Sequence, residues 1–376
     1  MIKLAIPTEV IDFENRVGIT PDCISSLTKM GLNVFIKKGA GNLSSFSDDL
    51  YIKSGAKVCK SDNELYKDAN IVVKIQRPVK KTNIDEFKFL QPGMNILSLI
   101  YPNKFKIEFD LMKKKKLNVF AMELMPRISR AQSMDVLSSQ SNLTGYKAVV
   151  DAASIYNKAF PLMMTSAGTI APAKILIIGA GVAGLQAIAT ARRLGAVVFC
   201  FDVRKATKEQ VESLGGNFIA VEENDTGETE SGYAKEMSAK YKKKQAILLE
   251  ENIKKMDIVI TTALIPGKPA PKIITKKMIQ SMKSGSIIMD LASEFGGNSE
   301  LTKHGQTIDF QKVKIIGPVN LASSVSQDAS RLYSKNILNF LNNSCTEGKF
   351  LDFNWEDELV KGTCLLKNGK QTKKEV

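Results

Sequence analysis

Residues 175–184 have the sequence Ile175-Leu-Ile-Ile-Gly-Ala-Gly-Val-Ala-Gly184. The apolar run favours a buried strand, and the pattern Gly-x-Gly-x-x-Gly after it is typical of a strand that turns tightly into a helix. Gly179 permits the turn, Gly181 lets the backbone approach a pyrophosphate at the helix N-terminus, and Gly184 allows the helix to pack closely on the strand. The segment therefore predicts an α/β domain that binds a dinucleotide.

The next predicted strand ends at Asp202. A carboxylate at this place accepts hydrogen bonds from the hydroxyl groups of the adenosine ribose, and its charge repels a 2′-phosphate. The sequence therefore predicts that the site prefers NAD(H) to NADP(H). Arg204 follows two positions later and could meet a 2′-phosphate, although the simpler interpretation is an ordinary surface arginine.

Apolar strand candidates alternate with helical patterns in two stretches, from Lys3 to Met122 and from Ile175 to Ile316. Such alternation is typical of parallel sheets that are covered by helices. The chain has 376 residues, which exceeds the roughly 250 residues at which single cores stop growing. We therefore predict an α/β protein of two Rossmann-like domains with parallel sheets, the second carrying the dinucleotide motif.

Two helical patterns predict how these domains are joined. A long helix over 138–158, with Tyr146, Val149, Ala153 and Tyr156 on one face, is expected to bridge them. A helix over 326–340 is expected to return to the first domain, which is then discontinuous. The predicted boundaries are 1–137 plus 322–376 for the first domain and 138–321 for the second.

The composition argues against several other classes of protein. The net charge is +14, but the lysines are dispersed, so we do not predict a nucleic acid partner. The five cysteines are scattered and lack Cys-x-x-Cys spacing, which favours reduced thiols and no metal site. The longest uncharged run, 175–191, is too short and too rich in glycine for a membrane span, and the N-terminal residues do not resemble an export signal.

A longer segment resembles a known family. Residues 127–148, Arg127-Ile-Ser-Arg-Ala-Gln-Ser-Met-Asp-Val-Leu-Ser-Ser-Gln-Ser-Asn-Leu-Thr-Gly-Tyr-Lys-Ala148, closely resemble the signature of the NAD(H)-binding alpha subunits of proton-translocating NAD(P) transhydrogenases, which share a superfamily with alanine dehydrogenase. Segments 205–216, 232–237, 261–271 and 290–298 resemble the same family. The resemblance covers nearly the whole chain and ends about where the separate soluble subunit of the three-polypeptide bacterial enzymes ends.

The resemblance implies that Arg127, Gln132 and Asp135 hold the dihydronicotinamide ring and its ribose, with Ser138 close by. These residue types suit a carboxamide, because arginine donates hydrogen bonds, aspartate accepts them and glutamine does both. It also implies that 222–236 form a mobile loop that folds over the nucleotide. The predicted cofactor-binding residues are Gly179, Ala180, Gly181, Val182, Gly184, Asp202, Val203, Arg204, Gly232, Tyr233, Ala263 and Leu264.

Two neighbouring positions complete the predicted site. Asp290 ends a predicted strand that faces the cleft and is a further candidate for contact with the cofactor. The family more often has a smaller or polar residue where Phe295 stands.

The function implied by the resemblance is direct hydride transfer from NADH to NADP⁺ that is bound on a partner domain. The implied partners are an NADP(H)-binding beta subunit, a membrane alpha-2 subunit that couples transfer to proton translocation, and a second copy of the chain in a homodimer. The chain alone would be inactive. Its implied place is cytoplasmic, on the inner face of the inner membrane, where the partner subunits hold it without a membrane span of its own.

Alanine dehydrogenase is the first alternative, since 14–21 and 73–78 resemble its pyruvate-binding segments and offer Arg16 and Lys74. Oxidation of an amine moves protons as well as a hydride, and alanine dehydrogenase uses a catalytic histidine as the proton relay. The matching stretch here, 96–102, has no histidine, and His304 is the single histidine of the chain. We therefore interpret Arg16 and Lys74 as structural ion-pair partners. The second alternative is a non-catalytic NAD(H)-binding regulatory module.

Overall fold

The computed structural model describes residues 2–221, 237–265, 268–346 and 349–373. The strands, in chain order, are β1 Ile2–Ile6, β2 Leu32–Lys37, β3 Lys57–Cys59, β4 Ile71–Gln76, β5 Lys80–Lys81, β6 Ile84–Asp85, β7 Asn95–Leu99, β8 Asn118–Ala121, β9 Met163–Thr165, β10 Gly168–Ile170, β11 Lys174–Ile178, β12 Val197–Phe201, β13 Asn217–Ile219, β14 Ile258–Thr261, β15 Ile287–Asp290, β16 Thr307–Phe310, β17 Val313–Ile316, β18 Cys345–Thr346, β19 Lys349–Phe353, β20 Cys364–Lys367 and β21 Lys370–Gln371.

The α-helices, in the same order, are α1 Pro21–Lys29, α2 Asp48–Lys53, α3 Asp62–Tyr66, α4 Lys106–Lys114, α5 Val136–Ile155, α6 Val182–Arg193, α7 Lys208–Ser213, α8 Ala239–Ile253, α9 Lys276–Gln280, α10 Ser326–Ser344 and α11 Glu358–Thr363. The chain divides into two compact units, Met1–Gln140 with Ala322–Val376 and Ser141–Leu321. The chain passes from the first unit to the second within α5.

The first unit is built on one sheet with the strand order β21-β20-β8-β7-β4-β1-β2-β3. The strands from β8 to β3 are parallel, whereas β20 and β21 add an antiparallel edge. Helix α10 belongs to this unit, and its buried residues Tyr333 and Ile337 pack into the core cluster that also contains Leu97 and Phe120. The Tyr333 hydroxyl donates a hydrogen bond to the carbonyl oxygen of Lys74 at 2.7 Å, which fixes α10 to β4.

The second unit is built on a sheet with the order β13-β12-β11-β14-β15-β17-β16, parallel except for β16. Strands β11 and β14 are almost completely buried, as expected for parallel strands that are covered on both faces. The order of strands reverses between β11 and β14. In open α/β sheets the ligand crevice lies at this reversal, beyond the carboxyl ends of the strands.

The predicted fold class is confirmed, while the antiparallel edge strands were not foreseen. On the face predicted for the bridging helix, Val149 and Tyr156 are buried and Ala153 packs against the same core, whereas Tyr146 differs from the prediction and is 42% exposed. Gly145 explains the difference: a Cβ there would lie 2.1 Å from the carbonyl oxygen of Ala183. The glycine lets α5 approach α6 at backbone distance, so the small residues around it face the core.

Candidate cofactor site

The glycine turn, residues 179–184, joins β11 to α6 at the strand reversal. Gly179 has φ +103°, and a Cβ at Gly184 would lie 1.8 Å from the carbonyl oxygen of Gly179. Both positions therefore require glycine for the turn and for the packing of α6. Gly181 differs, because a Cβ there would meet nothing within 4 Å. Its backbone faces open space, which is the arrangement that lets a pyrophosphate approach the helix N-terminus.

Asp202 connects the glycine turn to Arg204. Its Oδ2 accepts hydrogen bonds from Ala180 N at 2.6 Å and from Arg204 Nη2 at 2.8 Å. Its Oδ1 accepts hydrogen bonds from Arg204 N at 2.8 Å and Nε at 3.0 Å. The interpretation of Arg204 as an ordinary surface arginine is therefore wrong, because its guanidinium is held by the buried carboxylate. Ribose hydroxyls would have to share or replace these hydrogen bonds.

The loop that follows β14 forms the other side of the turn. Thr262 Oγ1 donates a hydrogen bond to the carbonyl oxygen of Gly179 at 3.0 Å. Ala263 is fixed by Asn298, whose Oδ1 accepts from Ala263 N at 3.0 Å and whose Nδ2 donates to Ala263 O at 2.8 Å. Asn298 is fully buried, and sequence reasoning did not single it out. The sequence feature that could have identified Asn298 is its position at the end of segment 290–298, which resembles the family.

The other predicted contacts in this unit differ in exposure. Ala180 is buried, whereas Val182 and Leu264 are each 40% exposed. Val203 is half-buried and packs against the core of the unit. Gly232 and Tyr233, like the whole segment 222–236, lie outside the described residues.

Asp290 is fully buried and is used inside the protein. Its Oδ1 accepts hydrogen bonds from Thr261 Oγ1 at 2.9 Å and Ala292 N at 3.1 Å. Its Oδ2 accepts hydrogen bonds from Ser299 N at 3.0 Å and Thr302 Oγ1 at 2.6 Å. Four donors occupy the acceptor positions of the carboxylate. The expectation that Asp290 contacts the cofactor is therefore replaced by a structural role, in which it ties the loop after β15 to β14.

The signature loop, residues 127–135, belongs to the first unit and forms a 3₁₀ helix over Ser129–Met134. Its apolar residues Ala131 and Met134 are buried, whereas Arg127 and Gln132 are exposed. The loop therefore has an inner side that anchors it and an outer side that displays polar groups.

Asp135 closes the loop and begins α5. Its Oδ1 accepts a hydrogen bond from Ser138 N at 2.9 Å, and its Oδ2 accepts one from the Ser138 hydroxyl at 2.6 Å. The carboxylate therefore serves as a helix cap and still has acceptor positions for a ligand, because ionised carboxyl oxygens each offer two.

Arg16 is buried in an ion pair. It donates from Nε to Glu14 Oε1 at 2.7 Å and from Nη2 to Glu14 Oε2 at 2.6 Å, and from Nη1 to Gln140 Oε1 at 2.7 Å. A substrate carboxylate at Arg16 would have to displace Glu14, which itself would lose a buried partner.

Lys74 is buried between two carboxylates, with its Nζ 2.8 Å from Glu86 Oε1 and 3.3 Å from Glu9 Oε2. The two negative charges keep the pKa of Lys74 above its usual value despite its burial. Burial raises the pKa of Glu9 to about 7, against the opposing attraction of Lys74. Arg16 and Lys74 are thus both ion-pair partners within the first unit.

The raised pKa of Glu9 predicts a pH-dependent stability. Because the folded protein binds this proton more tightly than the unfolded chain, the contribution is complete below about pH 4.5 and is lost as the pH rises through about 7. The Glu9→Gln variant lacks the carboxyl group that takes up this proton. We expect the free energy of unfolding of the variant, relative to the unmodified protein, to increase by up to about 3 kcal/mol between pH 5 and pH 8.

Urea titrations followed by the fluorescence of Trp355 measure this difference, because Trp355 is the only tryptophan of the chain and packs in the first unit. Glu251→Gln, an exposed carboxylate of the second unit, is the control. Equal pH dependence of Glu9→Gln and the unmodified protein would contradict the prediction.

The comparisons with known proteins cover nearly the whole chain. Family models described as alanine dehydrogenase/PNT, N-terminal domain and C-terminal domain match residues 5–144 and 148–374. The chain is 48% identical over 372 residues to the first part of NAD(P) transhydrogenase subunit alpha from Rhodospirillum rubrum, covering 98% of this chain and 97% of that protein. The chain belongs to the NAD(P) transhydrogenase alpha-subunit family. The resemblance inferred from the sequence is confirmed.

Two further relatives match nearly the whole chain. The crystal structure of transhydrogenase from Sinorhizobium meliloti superposes with a TM-score of 0.89 at 45% identity, covering 99% of this chain and 100% of that chain. Alanine dehydrogenase of Methanococcus maripaludis is 25% identical over 98% of this chain and 94% of its own length. As a member of the family, the chain is an NAD-binding oxidoreductase subunit with a Rossmann-like fold.

Proposed function

We propose that this chain binds NADH and presents it to NADP⁺ on a partner domain, to which the hydride passes directly, while membrane subunits couple the transfer to proton translocation. The observation that carries this proposal is the signature loop, whose buried Ala131 and Met134 hold it in place while Arg127 and Gln132 stay exposed. The open backbone at Gly181 supports it, because a Cβ at that glycine would fill the approach of a pyrophosphate.

The polar groups of the loop suit positioning and need no proton transfer. NADH supplies the hydride from its C4 atom, and no proton is exchanged at the nicotinamide rings. Arg127 would donate to the carboxamide oxygen, Asp135 would accept from the carboxamide nitrogen or the ribose, and Gln132 would do either. The protein must therefore supply proximity, with the two C4 atoms about 3–3.5 Å apart, and exclude water.

The test of the proposed function is reconstitution with a purified NADP(H)-binding transhydrogenase domain. The chain alone, the partner domain alone and the mixture are each supplied with NADPH and an NAD analogue whose reduced form absorbs at its own wavelength. We expect reduction of the analogue in the mixture at a rate well above that of either component. Equal rates in all three samples would contradict the proposal.

Cofactor preference gives a separate prediction. Asp202→Ala should weaken NADH binding by about tenfold and narrow the preference for NADH over NADPH, because the ribose loses its acceptor and a 2′-phosphate loses its repulsion. Isothermal titration with both nucleotides measures the two effects, and Asp309→Ala, an exposed carboxylate of the same unit, is the control. Tighter binding of NADPH than of NADH to the unmodified chain would overturn the assignment.

Amination of pyruvate with NADH and ammonium would instead identify an alanine dehydrogenase. Two observations weigh against it. Arg16 is occupied by Glu14. His304, the only histidine, lies in the second unit, where it is exposed and 3.0 Å from the hydroxyl of Ser293. If the chain binds NADH but shows neither hydride transfer to the partner domain nor amination of pyruvate, the result would favour a regulatory NAD(H)-binding module.

A homodimer is the assembly we propose for the chain. Residues 161–171, which contain the hairpin β9–β10, are all exposed, and Leu162 and Met164 are 58% and 82% exposed. An isolated two-stranded hairpin is only marginally stable in water, so an apolar hairpin favours a covering partner. Light scattering of the unmodified chain and of Met164→Ser measures the oligomeric state; a monomeric unmodified chain would contradict the dimer.

The place of the chain on the cytoplasmic face of the inner membrane depends on the beta and alpha-2 subunits in this proposal. None of the helices in the described ranges combines the length and apolar character that crossing a membrane requires. Flotation with membranes that contain the partner subunits, and with membranes that lack them, tests this placement. Equal retention on both would contradict it.

A further inference from the structure

Asn336 on α10 bridges the two sides of Asp135. Its Nδ2 donates a hydrogen bond to the carbonyl oxygen of Ser133 at 2.8 Å, and its Oδ1 accepts one from the Ser139 hydroxyl at 2.8 Å. Asn336 is only 7% exposed, and both hydrogen bonds are partly buried. The end of the signature loop and the first turn of α5 are therefore fixed to α10 by one side chain.

Two other side-chain contacts of the loop lie outside this bridge. Asn339, which is half-buried, donates from Nδ2 to the same Ser133 carbonyl oxygen at 3.1 Å, in a hydrogen bond that is exposed to solvent. Arg130 donates two hydrogen bonds to Asp357, at 2.9 and 2.8 Å, but its side chain is 47% exposed. Its partner Asp357 is 12% exposed, and the pair is bidentate. Gln140 of α5 also bonds α10, from Nε2 to the carbonyl oxygen of Ala329 at 3.1 Å. Asn336 is the side chain that joins α10 to both sides of Asp135, through Ser133 and Ser139.

We propose that Asn336 is a positioning residue for hydride transfer, which acts by holding Asp135 in one orientation. This inference rests on the proposed function. The hydrogen bonds from Ser138 also orient the Asp135 carboxylate. Ser138 belongs to α5, however, so these bonds do not fix the loop relative to α10. Displacement of a positioning group by about 1 Å can slow a reaction by about a hundredfold, so the restraint matters more for the rate than for affinity.

The matched variants are Asn336→Ala and Asn343→Ala. Asn343 lies on the same helix, is exposed, and donates from Nδ2 to the carbonyl oxygen of Asn339 within α10. In the reconstituted reaction, we expect Asn336→Ala to slow hydride transfer by about tenfold or more and to change the Kd for NADH by less than about threefold. Asn343→Ala should leave both within about twofold of the unmodified chain.

A double variant separates positioning from general destabilisation. If Asn336 acts through Asp135, then Asn336→Ala should slow the reaction by less than about twofold in an Asp135→Asn background, because coupled residues are not additive. Full multiplication of the two effects would overturn the proposal. If Asn336→Ala has a much lower unfolding temperature, Asn336→Asp is a second variant. It keeps the acceptor for the Ser139 hydroxyl but replaces the donor to the Ser133 carbonyl oxygen with an oxygen atom. It should slow transfer to a similar degree.

Hydrogen exchange without nucleotide tests the restraint apart from catalysis. Exchange of the backbone amides of 128–135 should rise by about tenfold in Asn336→Ala and stay unchanged in Asn343→Ala. Unchanged exchange in an active Asn336→Ala chain would overturn this inference alone. Absence of transfer by the unmodified chain would instead overturn the proposed function, and with it the role of Asn336 in transfer.

Discussion

Asp135→Asn is expected to slow hydride transfer by about a hundredfold in the reconstituted reaction while changing the Kd for NADH by less than about threefold. The reason lies in the geometry of the carboxylate, which caps α5 by accepting hydrogen bonds from Ser138. These hydrogen bonds also fix the orientation of the carboxylate. An asparagine keeps one acceptor for the cap, but it places an amide nitrogen where the second oxygen stood. The carboxamide or ribose of the nucleotide would then face a donor where it requires an acceptor.

Single-turnover rates and equilibrium titrations with NADH measure the two effects separately. Ser129→Ala, which changes an exposed hydroxyl on the same loop, is the control and should match the unmodified chain. The loss of a helix cap costs about 1 kcal/mol, so thermal unfolding should show only a modest shift for Asp135→Asn. If affinity falls in proportion to the rate, the loop only grips the nucleotide and does not position it.

The sequence predicted the features of the fold that depend on local pattern. The apolar run before Gly179 and the spacing to Gly184 predict a strand, a turn and a helix. Side chains are excluded at both glycines, by the positive φ of the turn at Gly179 and by close backbone packing at Gly184. The helix predicted over 326–340 is also present, as α10 Ser326–Ser344. The antiparallel edge β20–β21 did not, since short strands at a sheet edge depend on the partner strand more than on their own residues.

The site was less predictable, because its carboxylates look alike in sequence but have different neighbours in space. Asp202 follows β12, and Asp290 is the last residue of β15 in the same sheet. Asp290 accepts hydrogen bonds from four internal donors, whereas Asp202 is held by the glycine turn and Arg204. Contacts of Asp290 with residues up to 29 positions away have no periodic signature, and neither has the bridge from Asn336 to the signature loop.

The same methyl group, added at two positions of the glycine turn, is expected to have opposite effects. Gly184→Ala places a Cβ 1.8 Å from the carbonyl oxygen of Gly179 and 2.9 Å from its carbonyl carbon. Both atoms belong to the backbone, so α6 must move away from β11. We expect the second unit to lose about 3 kcal/mol or more of unfolding free energy, in the range of the most damaging core substitutions.

Gly181→Ala meets no atom within 4 Å, and its backbone, at φ −79° and ψ −173°, suits alanine. Its stability should change by less than about 1 kcal/mol, because the smaller entropy of the unfolded chain is offset by the poorer N-cap preference of alanine at the start of α6. The methyl group nevertheless occupies the side from which a pyrophosphate would approach, so the affinity for NADH should fall by at least about tenfold. Thermal unfolding and NADH titration of the two variants measure both halves of the contrast. Normal NADH affinity in Gly181→Ala would show that the pyrophosphate does not bind at this turn, because a Cβ at Gly181 meets no protein atom within 4 Å and would hinder only a bound ligand.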